Sequence, residues 1–119
     1  MELAICRIRN IAYAEKRGLD FVTICNTCQI NASMTKDRLD NDSSLREKVN
    51  EKLKEVGLEY KGTSRVIHFL YILRDDFGYD KIKEKVKKPL KDINIAPFYG
   101  CHNIRPSSLQ NKSNKKENP

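Results

Sequence analysis

The chain has 119 residues, which is enough for one small domain with a hydrophobic core but short for an enzyme with its own cofactor site. Its formal net charge of +7 is typical of a solvated basic surface, so we expect no nucleic-acid partner. Charged Glu2, Arg7 and Arg9 stand where a signal peptide needs an apolar run, and no stretch reaches the ~18 apolar residues of a membrane span. We therefore expect a cytoplasmic protein without structural disulfides.

A helix and then a strand are predicted at the start of the chain. Apolar residues recur at helical spacing over 2–17, and Gly18 is a natural helix stop. Cys6 lies within this helix, and we expect it to be part of the core. Residues 19–24 are rich in β-branched and aromatic side chains and predict a strand that ends at Cys25.

The segment Cys25-Asn26-Thr27-Cys28 is a CxxC motif that follows this strand. Asn26 or Thr27 can cap a helix that runs on towards Leu39. The two sulfurs would then lie at a strand end and at a helix N-terminus, where the helix dipole and backbone N–H groups favour thiolate over thiol. In a reducing cytosol these cysteines are better suited to metal binding or thiol exchange than to a structural disulfide, although two inert sulfurs remain an alternative.

Further elements are predicted after a polar break at 40–44. A helix capped by Ser43 or Ser44 ends at Gly57, and the apolar positions of 66–73 predict another helix. His68 lies in that second helix and is expected to be a packed, hydrogen-bonded side chain. The rest of the chain predicts a short basic helix over 80–88, a second strand over 93–99 that leads to Cys101 and His102, and a disordered tail over 109–119.

These elements predict an α/β fold, with helices packed on a small sheet whose strand ends carry cysteines. Cys101 and His102 could complete a Cys₃His zinc site with Cys25 and Cys28, because a fold can bring distant strand ends together. The chain lacks a Gly-rich phosphate loop and a clustered Ser/His/Asp set, which excludes the common nucleotide-binding and hydrolase classes.

Three stretches carry a resemblance to a known family: RNIAYAEKRGLDFVTICNTC, VIHFLYILRDDFG and IKEKVKKPLKDINIAPFYGCHNIRPS. In this order they look like the B subunit of heterodisulfide reductase, a member of the cysteine-rich CCG-domain family of methanogenic archaea and some bacteria. The resemblance covers about residues 7–108. In that family each of two repeats contributes a cysteine at a strand end, then a Cys-Cys-Gly segment, then a CxxC.

The resemblance implies an incomplete pair of these repeats. Residues 1–91 would be the C-terminal part of the first repeat, and 92–108 the start of the second. The resemblance further implies the roles of the site residues: Cys25 and Cys28 as metal ligands of the first-repeat cluster, Cys101 as a ligand of the second-repeat cluster, and His102 as a substrate-side hydrogen-bond donor.

The resemblance also implies the chemistry of the full-length relatives. These hold two noncubane [4Fe–4S] clusters and reduce the mixed disulfide of coenzyme M and coenzyme B, with electrons arriving through the iron–sulfur C subunit and the flavin A subunit of heterodisulfide reductase. This chain keeps three of the family's ten cysteine ligands. We therefore expect a fragment from a truncated or split reading frame that binds no cluster and is inactive alone. A small cytosolic zinc or interaction module is the alternative.

Overall fold

Helices alternate with two short strands in the computed structural model, which describes residues 2–96 and His102. The chain is mostly helical with a small parallel sheet, which agrees with the predicted α/β class. The elements in chain order are α1 (Glu2–Lys16), β1 (Phe21–Thr23), α2 (Asn26–Asn41), α3 (Ser43–Lys54), β2 (Val66–His68), α4 (Phe69–Tyr71), a π-helix (Ile72–Phe77) and α5 (Tyr79–Lys85).

The sheet consists of β1 and β2 in parallel, and the register pairs Phe21 with Val66 and Thr23 with His68. Parallel strands cannot be joined by a tight turn, and here the connection runs through α2 and α3. The carboxyl ends of both strands therefore lie at one edge of the sheet, and the chain enters the CxxC segment directly from that edge.

The core forms where α1, α2 and α3 pack together and against the segment before β2. Each helix contributes an apolar stripe at helical spacing, which is the pattern expected of amphipathic helices around one core. The buried members are Ile8, Ile11, Ala12, Ala32, Leu39, Val49, Leu53, Leu58 and Tyr60.

The first helix matches its predicted range, and Gly18 follows its end with a φ of 67°, a conformation that favours glycine. The prediction that Cys6 is part of the core is wrong, because Cys6 is exposed. Helix α1 buries the stripe through Ile8 and Ile11, and Cys6 lies two residues from Ile8, about 200° around the helix.

The junction between α2 and α3 is a single residue, Asp42, within the predicted polar break. Its Oδ1 accepts a hydrogen bond of 2.9 Å from the backbone N–H of Leu45, and Asp42 is therefore the N-cap of α3. The predicted caps, Ser43 and Ser44, instead form the first two helical positions.

The helix predicted over 66–73 is wrong at its start, because Val66–His68 forms β2. Val66 and Ile67 are β-branched, and pairing with β1 outweighs the helical spacing of the segment. Helical structure begins only at Phe69 and continues as the π-helix, which ends at Gly78 with a φ of 88°.

The predicted basic helix corresponds to α5, which ends at Lys85 rather than at residue 88. Residues 93–96, the start of the second predicted strand, have no regular structure and leave Ile93 and Ile95 exposed. Residues 97–99, Cys101 and the predicted tail over 109–119 lie outside the described residues.

Candidate functional site

Cys25 is the N-cap of α2 and lies two residues beyond the end of β1. Its backbone is extended, with φ −104° and ψ 122°, and its sulfur accepts a hydrogen bond of 3.5 Å from the backbone N–H of Cys28. Neither Asn26 nor Thr27 caps this helix as predicted, since both are already helical. Both thiols of the CxxC motif are free and exposed.

The two thiols differ in acidity because of this cap. The backbone N–H of Cys28, then the Cys28 thiol and then the backbone N–H of Thr27 donate hydrogen bonds to the Cys25 sulfur, and these bonds lower the pKa of Cys25 below its ordinary value. The pKa of Cys28 is raised, because its thiol hydrogen-bonds to the Cys25 sulfur and lies beside its negative charge. Cys25 is therefore the first of the pair to become a thiolate, the form that binds metals and attacks disulfides.

Gln29 anchors the first turn of α2 to both strands. Its Oε1 accepts a hydrogen bond of 2.7 Å from the hydroxyl of Thr23, and its Nε2 donates to the carbonyl oxygen of Val66 at 3.1 Å and to the hydroxyl of Ser33 at 3.2 Å. The Gln29 side chain is buried, so these bonds satisfy polar atoms that would otherwise lack partners. The adjacent Cys28 is thereby held at a fixed position beside the sheet edge.

His102 is the predicted site residue that lies close to the CxxC motif. Its Nδ1 is 3.2 Å from the hydroxyl oxygen of Thr27, between the two cysteines, and both side chains are exposed. Cys101, predicted to act beside His102, lies outside the described residues. Within the described part of the chain, no three or more His, Cys, Asp or Glu side chains are arranged to hold a metal ion.

His68 lies at the carboxyl end of β2 and is buried, with 4% of its surface exposed. Its Nδ1 accepts a hydrogen bond of 3.2 Å from the backbone N–H of Leu70 and so caps α4. The sequence predicted a packed, hydrogen-bonded histidine but placed it within a helix rather than at the edge of the sheet.

Sequence reasoning missed Gln29 and Thr23. Gln29 lies on the same helical face as the apolar residues Ala32 and Leu39, and this spacing alone predicts a polar side chain on a buried face.

None of the helices among the described residues is both long enough and apolar enough to cross a membrane.

Comparison with known proteins identifies relatives over most of the chain. It is 40% identical over 103 residues to the B subunit of the ferredoxin/F420H2-dependent CoB-CoM heterodisulfide reductase of Methanosarcina acetivorans, which covers 87% of this chain and 34% of that protein. It is 38% identical, with the same coverage, to the B subunit of the ferredoxin:CoB-CoM heterodisulfide reductase of Methanosarcina mazei.

A third relative has a different name. The chain is 36% identical over 102 residues to the 8-methylmenaquinol:fumarate reductase membrane anchor subunit of Wolinella succinogenes, covering 86% of the chain and 34% of that protein. No protein-family model matches the chain. The chain spans about a third of the length of the curated relatives it matches. The chain is therefore related in sequence to about a third of the heterodisulfide reductase B subunit.

Proposed function

We propose that this chain contributes Cys25, Cys28 and Cys101 as ligands of iron–sulfur clusters in the B subunit of a heterodisulfide reductase. Cys25 and Cys28 bind the noncubane [4Fe–4S] cluster of the first repeat, and Cys101 binds that of the second. The reaction of the complete subunit is reduction of the coenzyme M/coenzyme B disulfide. Identities of 38–40% to the B subunits of two named heterodisulfide reductases support this assignment.

One observation carries the proposal: both CxxC sulfurs are exposed at the N-terminus of α2, and the pKa of Cys25 is lowered. Soft thiolates are the ligands that iron–sulfur clusters require, and this helix end supplies two of them on a fixed turn. The donor type therefore fits a cluster. The donor number does not suffice alone, because a cluster needs about four thiolates, whereas the proposal assigns two cysteines of this chain to one cluster and one to the other.

The bound clusters would supply two electrons that, with two protons, convert the mixed disulfide into the two thiols. The chain's own part is to hold ligands and to orient substrate. Thr27 keeps the His102 ring beside the CxxC motif, where an imidazole N–H can donate a hydrogen bond to a substrate sulfur or carboxylate. We assign His102 this substrate-side role.

The proposed partners are the flavin A subunit and the iron–sulfur C subunit of heterodisulfide reductase, and the proposed location is the cytoplasm. The Methanosarcina relatives are named as subunits, which supports action within a larger complex. The isolated chain is proposed to be inactive, because the remaining cluster ligands belong to segments that it does not contain.

A chimera tests the proposal. This chain replaces the corresponding 103 residues of the Methanosarcina acetivorans protein, and the chimera and the isolated chain are both reconstituted anaerobically with iron and sulfide. We expect the chimera to hold two clusters, and the isolated chain to show little stoichiometric iron and no reduction of the mixed disulfide with a viologen donor.

Variants of the chimera assign the ligands. Cys25→Ala or Cys28→Ala should remove one cluster, and Cys101→Ala should damage the other. Cys6→Ala is the matched control, because Cys6 lies on α1 and is exposed, and it should leave the iron content unchanged. A chimera that binds no iron, or one that loses a cluster with Cys6→Ala, would contradict the proposal.

A zinc or interaction module that uses Cys25, Cys28, Cys101 and His102 is the second candidate. The hydroxyl of Thr27 holds His102 near the CxxC motif, but Cys25, Cys28 and His102 are not arranged to hold a metal ion in the described part of the chain. Zinc needs four such ligands in a tetrahedral arrangement. If the isolated chain binds one equivalent of zinc tightly and Cys101→Ala releases it, the zinc module replaces the reductase fragment.

A further inference from the structure

The two faces of the sheet differ in their contact with α2. The hydroxyl of Thr23 donates a hydrogen bond to Gln29 in α2, so the side chain of Thr23 lies on the face that α2 covers. Side chains alternate between the two faces along a strand, and Val22 therefore lies on the opposite face. Ile67 is paired with Val22 in the register, and its side chain lies on that same opposite face.

This opposite face is closed over β2 and open over β1. Ile67 in β2 is 5% exposed, whereas Val22 in β1 is 44% exposed. Parallel sheets occur almost only with both faces covered, because the crossover connections place helices on them. The open half over β1 therefore departs from the usual arrangement of a parallel sheet.

The residues that flank β1 are also apolar and exposed. Leu19, before the strand, is 58% exposed, and Ile24, directly after it, is 82% exposed. A single exposed apolar side chain is ordinary on a protein surface, but a group of large ones marks an interaction site. We call Leu19, Val22 and Ile24 the β1 strip.

β1 is an edge strand in the part of the chain that the structure describes, because its partner there is β2 alone. An edge strand with exposed apolar side chains readily pairs with another extended segment, and native proteins usually cover such an edge. A sheet of two strands is also at the lower limit of sheet size. These features indicate that more polypeptide packs beside β1.

The relatives indicate the source of that polypeptide. The match to the B subunit of Methanosarcina acetivorans spans 103 of the 119 residues of this chain, so it includes β1 wherever it begins. The matched part is 34% of that subunit, which leaves about two thirds of the B subunit outside the part that contains this strand. A polypeptide of that length is sufficient to cover the β1 strip.

We propose that the β1 strip is the surface on which the rest of the B-subunit polypeptide packs, through an extended apolar segment that pairs with the edge of β1. The inference rests on the part of the proposed function that places this chain within a B subunit, and it does not depend on a bound cluster. Because Cys25 follows Ile24 directly, the same packing brings the rest of the polypeptide beside the CxxC motif.

Alkylation of an introduced cysteine tests whether the strip is covered. Val22→Cys is made in the isolated chain and in the chimera, and its reaction with iodoacetamide is followed by peptide mass spectrometry. We expect the rate in the chimera to be at least about tenfold lower than in the isolated chain, because a buried thiol is inert towards the reagent. Lys48→Cys, at an exposed position of α3, is the matched control and should react at similar rates in both proteins.

A second variant tests the same surface through stability. Val22→Lys should be tolerated in the isolated chain, because the side chain can reach water there. In the chimera it should lower the equilibrium constant for folding by at least about tenfold, because the charge would be buried without a partner. Urea denaturation of both proteins measures the two effects, and circular dichroism confirms that each variant of the isolated chain folds.

Equal rates for Val22→Cys in the isolated chain and in the chimera would overturn the inference. Slow reaction already in the isolated chain would also overturn it, since a second copy or other residues of this chain would then cover the strip, and sedimentation velocity would distinguish these two occupants.

The same measurements separate this inference from the proposed function. A chimera that folds and protects Val22→Cys but binds no iron refutes the proposed function alone. A chimera that binds two clusters and leaves Val22→Cys reactive refutes this inference alone. A wild-type chimera that does not fold refutes both, because the chain then cannot stand in a B subunit.

Discussion

The hydroxyl oxygen of Thr27 lies 3.2 Å from Nδ1 of His102, although the two residues are 75 positions apart in the sequence. Thr27 stands between Cys25 and Cys28, so this contact fixes an imidazole beside the two thiols. The contact joins His102, which follows α5 in the sequence, to the CxxC motif.

Replacement of Thr27 by valine should release His102 with little effect on the fold. Valine keeps the size and branching of threonine but cannot hydrogen-bond, and an exposed hydrogen bond contributes at most about 1 kcal/mol to stability. The ring resonances of His102 in NMR spectra should shift towards those of a solvated histidine. Thr63→Val is the control, because Thr63 is also exposed, and it should leave these resonances unchanged. Equal spectra for both variants would contradict the contact.

The alkylation rates of the two cysteines of the motif should depend differently on pH. Because the pKa of Cys25 is lowered and that of Cys28 is raised, Cys25 should react with iodoacetamide at a lower pH than Cys28. Rates measured by peptide mass spectrometry between about pH 6 and pH 10 would give the two profiles. Reaction of Cys28 before Cys25 would show that the cap does not stabilise the Cys25 thiolate.

The lowered pKa of Cys25 also has a defined sign for stability. The pKa of Cys25 is lower in the folded state than in the unfolded chain, so the ionised thiolate stabilises the fold. This stabilisation is fully present above the unfolded-state pKa and is lost as the pH falls through the folded-state pKa. Cys25→Ser should reduce this pH dependence, because serine can cap the helix but does not ionise in this range. Chemical denaturation at several pH values measures the difference.

Asp42→Ala should lower the free energy of unfolding by about 1 kcal/mol, because it removes the N-cap of α3. The lost bond is the one from the N–H of Leu45 to Asp42 Oδ1, at 2.9 Å. Ser44→Ala is the matched control and should change the stability by less than about 0.5 kcal/mol, since Ser44 is exposed inside the helix. If Ser44→Ala has the larger effect, then the cap is wrongly assigned.

Helices α1, α2 and α3 can be predicted from the sequence because their signals are local: an apolar stripe and a helix stop such as Gly18 or Gly57. The strand at 66–68 was missed because its partner is distant. A three-residue strand has too few positions for alternation to be read, and only pairing with β1 distinguishes it from a helix start.

The candidate site was likewise predictable only in part from the sequence. The CxxC motif and its place at a helix N-terminus follow from local sequence, whereas the position of His68 opposite Thr23 depends on strand register. Register is set by tertiary pairing, which a single sequence does not reveal. Cys6 shows a further limit, because a cysteine in an amphipathic helix can lie outside the buried stripe.

Gln29→Leu should lower the free energy of unfolding by about 2–3 kcal/mol, because it leaves the buried Thr23 hydroxyl and the Val66 carbonyl without their side-chain partner. Leucine has a similar volume, so the loss reports hydrogen bonds rather than a cavity. Urea denaturation measures the change. Arg38→Leu, at an exposed position of the same helix, is the control and should shift stability by no more than about 0.5 kcal/mol.

A double-mutant cycle with Thr23→Val makes this last prediction specific. If Gln29 stabilises the fold through Thr23, the double variant should lose less stability than the two single losses added together, since valine no longer presents a hydroxyl that needs an acceptor. The two side chains are 2.7 Å apart, well within the distance at which coupling is expected. Additive losses, or a Gln29→Leu variant as stable as Arg38→Leu, would show that this network does not attach the CxxC turn to the sheet.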